Sequence, residues 1–403
     1  MSVIKNNKWT EYKIGDICIV GDGAHAKIKR QDKGIKYLTS KNVKDGKLDL
    51  SKVDFISPQD YEKYFKADSK ALTKPQPQDV LFSIIGEPYL FQKSDLFGLS
   101  SSVSIIRPNA SEIFPKYLYY WIKGHIFQNA LYAIKGGVAQ SYVSLEMIKS
   151  LPLNYPPLPI QRAIASILSN YDDLIENNNR RIKILEEMAK TVYQEWFVKY
   201  RFPNHENVKM IESELGLIPE GWQVKKVKDI VRRLKVGKKY KEKDVLNEGL
   251  IPVIDQSRNS VLGFHNQEAD YKTSSDSPII IFGDHTCKMQ LMVEPFSVAE
   301  NVVPFVSNEN ILVTYLYFLV ESLVTTQEYK RHWTELMSKQ VVTTTPYLMK
   351  EFSSFVIPIF KTINNLSKKN DNLRKTRDLL LPKLISGAID VENLDINTER
   401  LAS

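Results

Sequence analysis

Two stretches of the chain carry apolar side chains at steps of three and four residues. The first runs through Ile164, Leu168, Tyr171, Ile175, Asn178, Ile182, Leu185, Ala189, Val192 and Trp196. The second runs through Ile363, Leu366, Asn370, Leu373, Arg377, Leu380 and Leu384. That period sets each group along one side of an α-helix. The first helix, about 40 residues, would be roughly 60 Å long at 1.5 Å per residue. No small domain covers so long a stripe, so the two helices are expected to pair. Asn178 and Asn370 each place one amide in a mostly apolar seam, a device that fixes register at some cost in stability. Leu185, Val192 and Trp196 have the spacing of Leu373, Leu380 and Leu384. Pro159 lies 37 residues before Trp196, whereas Pro358, taken as the second entry, lies 26 before Leu384. The second helix is therefore expected to lack 11 residues, about three turns, with the stripe preserved.

Elsewhere the pattern is of short strand-like runs broken by Gly, Pro and Asp: 37–40, 79–85 and 101–108, then 251–255, 277–283 and 301–306. Aromatic-rich helix candidates follow at 115–130 and 312–330. The two sets belong to a repeat. Trp9 opens WTEYKIGDI and Trp222 opens WQVKKVKDI, with Asp16 and Asp229 in register, and KYLYYWI at 116–122 answers TYLYFLV at 314–320. The expected fold is α+β: two repeated mixed α/β domains joined and spaced by two long helices in an antiparallel coiled coil. The segments are 1–155 (first domain), 156–203 (central helical region), 204–355 (second domain) and 356–403 (distal helical region). Two domains spaced by a rod would suit a DNA target of two short sites with an unread gap.

Composition narrows the chemistry. Among 403 residues only Cys18 and Cys287 are cysteine, so neither a disulfide framework nor a Cys-rich zinc site can be built. The first thirty residues lack an apolar leader core, and the longest apolar runs are too short for a bilayer. A cytoplasmic protein without a membrane partner is expected. The net charge of +8 is uneven: residues 1–159 hold 22 basic and 15 acidic side chains, and 201–355 hold 19 and 20. Within that second block, residues 232–243 concentrate Arg232, Arg233, Lys235, Lys238, Lys239, Lys241 and Lys243 around Glu242, just after Lys228. Such a cluster suits phosphates or an ordinary solvated face.

The motif search yields no phosphate loop and no dinucleotide fingerprint. GDG at 21–23 and KGG at 135–137 read as turns. In NYPPLP at 154–159, Tyr155 separates Asn154 from Pro156, so the stretch reads as a rigid helix entry. His25, His125, His205, His265, His285 and His332 have no metalloprotease spacing. Asp284, His285 and Cys287 are too few for a tetrahedral metal site. No catalytic residue and no metal site is expected.

DNA-contact candidates follow from side-chain chemistry. His25, Lys27, Lys29 and Arg30 form a basic loop after the first strand, with Lys41 and Asn42 after the next. In the second domain Lys235, Lys238, Lys239 and Lys241 make the matching loop, and Gln256, Ser257, Arg258 and Asn259 follow the strand at 251–255. Gln140, Ser141 and Tyr142 are set opposite Lys339 and Gln340. Arg, Lys, Asn and Gln can read base edges, and lysines more often hold phosphates. Each residue alone reads first as ordinary surface; parallel placement in both repeats raises the set.

Four segments then carry a resemblance: 136–168 (GGVAQSYVSLEMIKSLPLNYPPLPIQRAIASIL), LEEMAKTVYQEWFVKYRFP at 185–203, SELGLIPEGWQVKKVKDI at 213–230 and LRKTRDLLLPKLISGAIDV at 373–391. With them the chain resembles the DNA-specificity subunit of a type I restriction-modification system over nearly its whole length. The resemblance implies that each domain reads half of a split target in double-stranded DNA and that the helices are ruler and docking surface. It implies two modification (methyltransferase) subunits using S-adenosylmethionine on adenine N6, and restriction/translocase subunits using ATP and magnesium. No cofactor is then bound by this chain. The family's Pro-Pro-Leu-x-x-Gln segment stands once, at Pro156, Pro157, Leu158 and Gln161. Only Val356, Ile357, Pro358 and Ile359 answer it, which departs from symmetric docking sites. Two other readings are a stand-alone DNA-modifying or cleaving enzyme, which would show metal- or S-adenosylmethionine-dependent turnover, and a coiled-coil adaptor indifferent to DNA.

Overall fold

In the computed structural model the described residues are 9–396, apart from 45, 68, 70–71, 84–85, 93–94, 136–142, 236, 258–260, 309, 327–329 and 395. Two compact units emerge: residues 1–176 with 370–403, and residues 177–369.

The first unit is built on an antiparallel sheet whose strands lie in the order Cys18–Asp22, Val103–Pro108, Val80–Ser83, Pro88–Leu90. Val80, Leu81 and Phe82 are all buried, so this strand reads as a continuous apolar run rather than an alternation. Ile35–Leu38 pairs antiparallel with Asp54–Ile56 and parallel with Gly98–Leu99. Helix Pro115–Lys123 buries Tyr117, Tyr120 and Trp121. The polar tips of two of these aromatics find backbone partners, as burial requires. Trp121 Nε1 donates to the Pro152 carbonyl and Tyr117 OH to the Asn154 carbonyl, each at 2.9 Å. Both acceptors lie on strand Pro152–Tyr155, which pairs with Thr10–Lys13.

The second unit repeats this plan. Its sheet order is Val231–Arg233, Val302–Ser307, Ile279–Gly283, Met289–Met292, again antiparallel throughout. Ile251–Ile254 pairs antiparallel with Val261–His265 and parallel with Ser297–Ala299. Individual hydrogen bonds recur: Ile14 N to Leu151 O in one unit and Val227 N to Lys339 O in the other, both 2.9 Å. Tyr315 OH reaches the Val342 carbonyl as Tyr117 reaches that of Asn154. The aromatic helix candidates are shorter than their apolar runs. The first breaks at Gly124 into Pro115–Lys123 and His125–Ile134, and the second, Val313–Val320, does not extend to 330.

Each unit also contains half of each long helix. The central helix, Leu158–Tyr193, gives its first half to unit 1; the distal helix, Pro346–Ile385, gives its first half to unit 2. The two therefore pair antiparallel. In unit 1 Ile164, Leu168, Ile175, Asn370 and Leu384 are buried, and Tyr171, Leu373, Arg377 and Leu380 half-buried. Leu381 and Ile385 join the same core. In unit 2 Ala189 and Leu366 are buried, while Asn178, Ile182, Leu185, Val192, Trp196 and Ile363 are half-buried. There Phe197 packs edge-on against Phe352, with ring centroids 5.2 Å apart.

The expected eleven-residue deletion is overturned. The distal helix has 40 residues and starts at Pro346, so Pro358 lies inside it. The terminal ladder pairs make Tyr155 equivalent to Thr343, an offset of 188, since Thr10 and Gln223 are their partners. The same offset carries Trp196 to Leu384 and Pro159 to Tyr347, eleven residues before Pro358. Nothing is missing; the wrong proline stood for the entry. An interior proline loses one helical hydrogen bond, here to the Ser354 carbonyl, and normally breaks the helix. Packing overrides that here: Leu348, Phe352, Val356, Ile359 and Leu366 are buried on both sides of Pro358. The true counterpart of the Pro-Pro-Leu-x-x-Gln segment is Thr344, Thr345, Pro346 and Met349.

Candidate nucleic-acid interface

In unit 1 the basic loop leaves the sheet through Gly23, where no side chain is possible: a Cβ there would lie 2.2 Å from the Leu99 carbonyl oxygen. Gly23 N and Ala24 N donate to Val103 O and Leu99 O, so the backbone entering the loop is pinned. An open concavity of about 500 Å³ is lined by residues 24–30, Tyr37, Ser100 and Ser101, and brings His25, Lys27, Lys29 and Arg30 together. Lys27 and Lys29 are exposed. Arg30 is restrained: its Nε donates to Asp54 at 3.1 Å, its Nη1 to the Ile28 carbonyl, and its guanidinium stacks 3.8 Å from the Tyr37 ring centroid. A planar cation so held keeps part of its donor fork in fixed directions.

Lys41 projects from the turn Ser40–Asn42, which is joined to the concavity through Ser40 N and Ser102 Oγ (3.0 Å) and then Ser102 and Ser100 (2.6 Å). Asn42 does not face outward. It is buried, its Nδ2 donates to the Asp49 and Lys52 carbonyls, and its Oδ1 accepts from Thr39 N. It shapes the loop that presents Lys41 rather than contacting a ligand.

In unit 2 Lys235, Lys238, Lys239 and Lys241 are all exposed. Strand Lys239–Tyr240 alternates, sending Tyr240 inward to stack on buried His265 at 4.7 Å and Lys239 outward. Lys238 Nζ lies 4.4 Å from the Tyr240 centroid, and Lys241 pairs with Glu300 at 3.5 Å. The loop after Ile251–Ile254 is knitted to the turn 284–288. Gln256 Oε1 accepts from His285 N at 3.0 Å, Thr286 Oγ1 donates to Gln256 O, and Lys288 Nζ donates to Ser257 O at 3.1 Å. A backbone N–H can bond only the oxygen of the Gln256 amide, so this contact fixes which end of the amide is oxygen and which is NH₂. Lys288 was missed by sequence reasoning, since an isolated lysine in a turn carries no signal without this contact. Burial pulls its ammonium below the usual lysine range, partly offset by Asp255.

Arg258, Asn259, Gln140, Ser141 and Tyr142 lie outside the described residues. Lys339 and Gln340 are not their counterparts. Gln340 pairs with Lys226 as Pro152 pairs with Lys13, so this segment is the equivalent of 151–152 in unit 1. Its side chains are spent on acids: Lys339 on Glu335 at 3.3 Å, Gln340 on Glu214 at 2.8 Å. The equivalent of 140–142 precedes helix Trp333–Ser338 instead.

Among the described residues no group of three or more His, Cys, Asp or Glu is placed to hold a metal ion. No helix among them is long and apolar enough to cross a membrane. Asp284 Oδ1 accepts from His332 N and Trp333 N, capping that helix.

A family model, the type I restriction modification DNA specificity domain, matches residues 6–187 and 219–361. The type I restriction enzyme MjaIX specificity subunit of Methanocaldococcus jannaschii is 29% identical over 306 residues, covering 69% of this chain and 70% of that protein. The MjaVIII specificity subunit of the same organism is 24% identical over 427 residues, covering 96% and 94%. Among solved structures, the type I restriction-modification S subunit from M. genitalium is similar with a TM-score of 0.58 at 16% identity, over 95% of this chain and 98% of that one. At that identity the likeness speaks for the fold.

Proposed function

The chain belongs to the family of type I restriction-modification DNA specificity proteins, and from that premise we propose that it is the subunit that reads a bipartite target in double-stranded DNA. It directs modification subunits to methylate adenine N6 there, and restriction subunits to the same address. The observation that carries this reading is the presence of two copies of one domain, each presenting a basic loop from the same edge of the same sheet. One domain serves each half of the target.

Lysines such as Lys27, Lys29, Lys238 and Lys239 hold phosphates and set affinity, with the salt dependence that counterion release imposes. Groups with restrained geometry, such as Arg30 and the Gln256 amide, are suited to base edges, where direction matters. The chain itself performs no bond-making step. S-adenosylmethionine, ATP and magnesium belong to the partner subunits. The two long helices offer those partners their docking surface.

The test is a footprint of the assembled modification complex on duplex DNA, with modified adenines mapped. Replacing Lys235, Lys238 and Lys239 together by serine is expected to weaken protection of one half of the target and spare the other. Equal loss at both halves overturns the assignment of one domain to each half.

A further inference from the structure

Asp22 ends the strand Cys18–Asp22, and its side chain is about nine-tenths buried. Taking a carboxylate out of water is costly unless it gains strong partners. Among the described residues, the hydrogen bond recorded for this carboxylate is to His25 Nε2, at 2.8 Å, and the His25 side chain is 69% exposed. A pair with one partner so exposed adds little to stability. What it does supply is direction. The backbone at both ends of the pair is pinned: Asp22 faces Ser104 across the sheet, and Ala24 bridges to Ser100. A carboxylate can only accept, so Nε2 must carry the proton. In the neutral ring Nδ1 is then a bare acceptor. The ring stands on the rim of the concavity lined by Lys27, Lys29 and Arg30.

We propose that Asp22 is a positioning residue that fixes the tautomer of His25, and that His25 Nδ1 reads a hydrogen-bond donor on one base edge of the target half bound by the first domain. This rests on the DNA-recognition reading above. The donors that a major groove offers are the exocyclic amines of adenine N6 and cytosine N4. The second domain does without this device. Counted from the terminal ladder residues Cys18 and Val231, the positions of Asp22 and His25 are occupied by Lys235 and Lys238. The pair is therefore private to one half of the target.

The experiment measures base preference at every position of a randomised bipartite duplex, using the full chain assembled with its modification subunits. One position in the first half should favour an amine-bearing base by about tenfold, the scale of one directional hydrogen bond. That preference should vanish in His25→Ala and fall in Asp22→Asn, whose amide no longer dictates the tautomer. Preferences in the second half should not move. His25 is exposed, so its variant tests the idea even if Asp22→Asn unfolds. The proposal is overturned if His25→Ala keeps the wild-type preference at every position, or if only Asp22→Asn changes it. A wild-type complex that selects no sequence refutes the DNA reading itself, a different failure that the footprint distinguishes.

Discussion

In unit 1 the seam between the long helices contains a polar triad whose removal should be costly in a specific way. Arg377 Nη1 donates to Asp172 Oδ1, and Tyr120 OH donates to Asp172 Oδ2 at 2.6 Å. The Arg377 and Asp172 side chains are 14% and 30% exposed, so solvent screens the pair only in part. Burial opposes the Arg377 charge, yet the hydrogen bonds and charges of Asp172 and of the more exposed Asp378 together outweigh it and raise the guanidinium further. Burial, then Asp172, pushes the Tyr120 phenol far above its ordinary value, so it remains a donor. Removing one member of a fully buried pair costs about 3–5 kcal/mol, and a charge-assisted hydrogen bond contributes about 1.5–3 kcal/mol. With the residual exposure and the surviving Tyr120 bond, Arg377→Met should cost about 2 kcal/mol. Tyr120→Phe should cost about 1 kcal/mol.

The equivalent positions in unit 2 are Phe318, Phe360 and Ala189, where the rings of Phe318 and Phe360 lie 6.0 Å apart. An apolar solution to the same seam therefore exists within the same chain. Converting all three unit 1 residues to the unit 2 set should cost less than Arg377→Met alone, because no charge is left stranded. Thermal unfolding reads the totals, with about 4–8 °C expected for 2 kcal/mol in a unit of this size. Hydrogen exchange assigns the loss to unit 1 amides. A triple variant less stable than Arg377→Met, or an Arg377→Met with unchanged unit 1 exchange, would refute the reasoning.

Three further outcomes are expected. Gln161 is fully buried and its amide serves Phe114 N at 2.8 Å and the Glu112 and Pro156 carbonyls at 2.7 and 2.8 Å; Gln161→Met, the form its counterpart Met349 takes, should cost about 2–3 kcal/mol in urea unfolding. Burial pushes the Cys18 thiol up to about 12. The folded state thus holds a proton that the unfolded chain loses near pH 9, and stability should fall with rising pH through that window by about 1.4 kcal/mol per unit. Cys18→Ala should flatten the alkaline slope relative to wild type, and an unchanged slope counts against the assignment. Finally, the Lys235, Lys238, Lys239 triple serine variant should lower the slope of log affinity against log salt by about 2–3, measured by fluorescence anisotropy on duplex DNA.

Periodicity carried most of what could be read in advance. The stripes from Ile164 to Val192 and from Ile363 to Leu384 are buried or half-buried at every step, because a helix repeats in one dimension and needs no knowledge of its partner. The ladder pairs Thr10–Tyr155 and Gln223–Thr343 bring the two tryptophan-led segments into the same place in each unit. What failed were inferences that depend on three-dimensional neighbours. Pro358 looked like a helix entry because a local rule was applied where Phe352, Val356 and Ile359 already hold the helix by packing. Asn42 looked like a base reader because its type is right, yet Asp49 and Lys52 consume its amide. Lys339 and Gln340 were set against 140–142 by position along the chain, and the ladder register makes them the counterparts of 151–152 instead. Lys288 emerges only through its bond to Ser257.

The two units differ in a pattern that bears on the proposed division of one target between two domains. What recurs is backbone and core: Ile14 to Leu151 with Val227 to Lys339, Tyr117 with Tyr315, and the same strand order. What does not recur is the surface carried by that framework. Arg30 lies over Tyr37 and is tethered to Asp54 in one unit, whereas Lys238 lies over Tyr240, itself stacked on His265, in the other. A cation on an aromatic face is retained, but the planar donor fork becomes a point charge and the supporting ring comes from a different strand. In the same way the Asp22–His25 pair becomes Lys235 and Lys238, replacing a directional group by two charges. Substitutions of that kind leave the core hydrogen bonds untouched, so they alter what a loop recognises at little cost to folding. A domain whose stability resides in Trp121, Tyr117 and the buried strand Val80–Ser83 can therefore exchange its loop chemistry freely, which is what the proposed division of one target between two domains calls for.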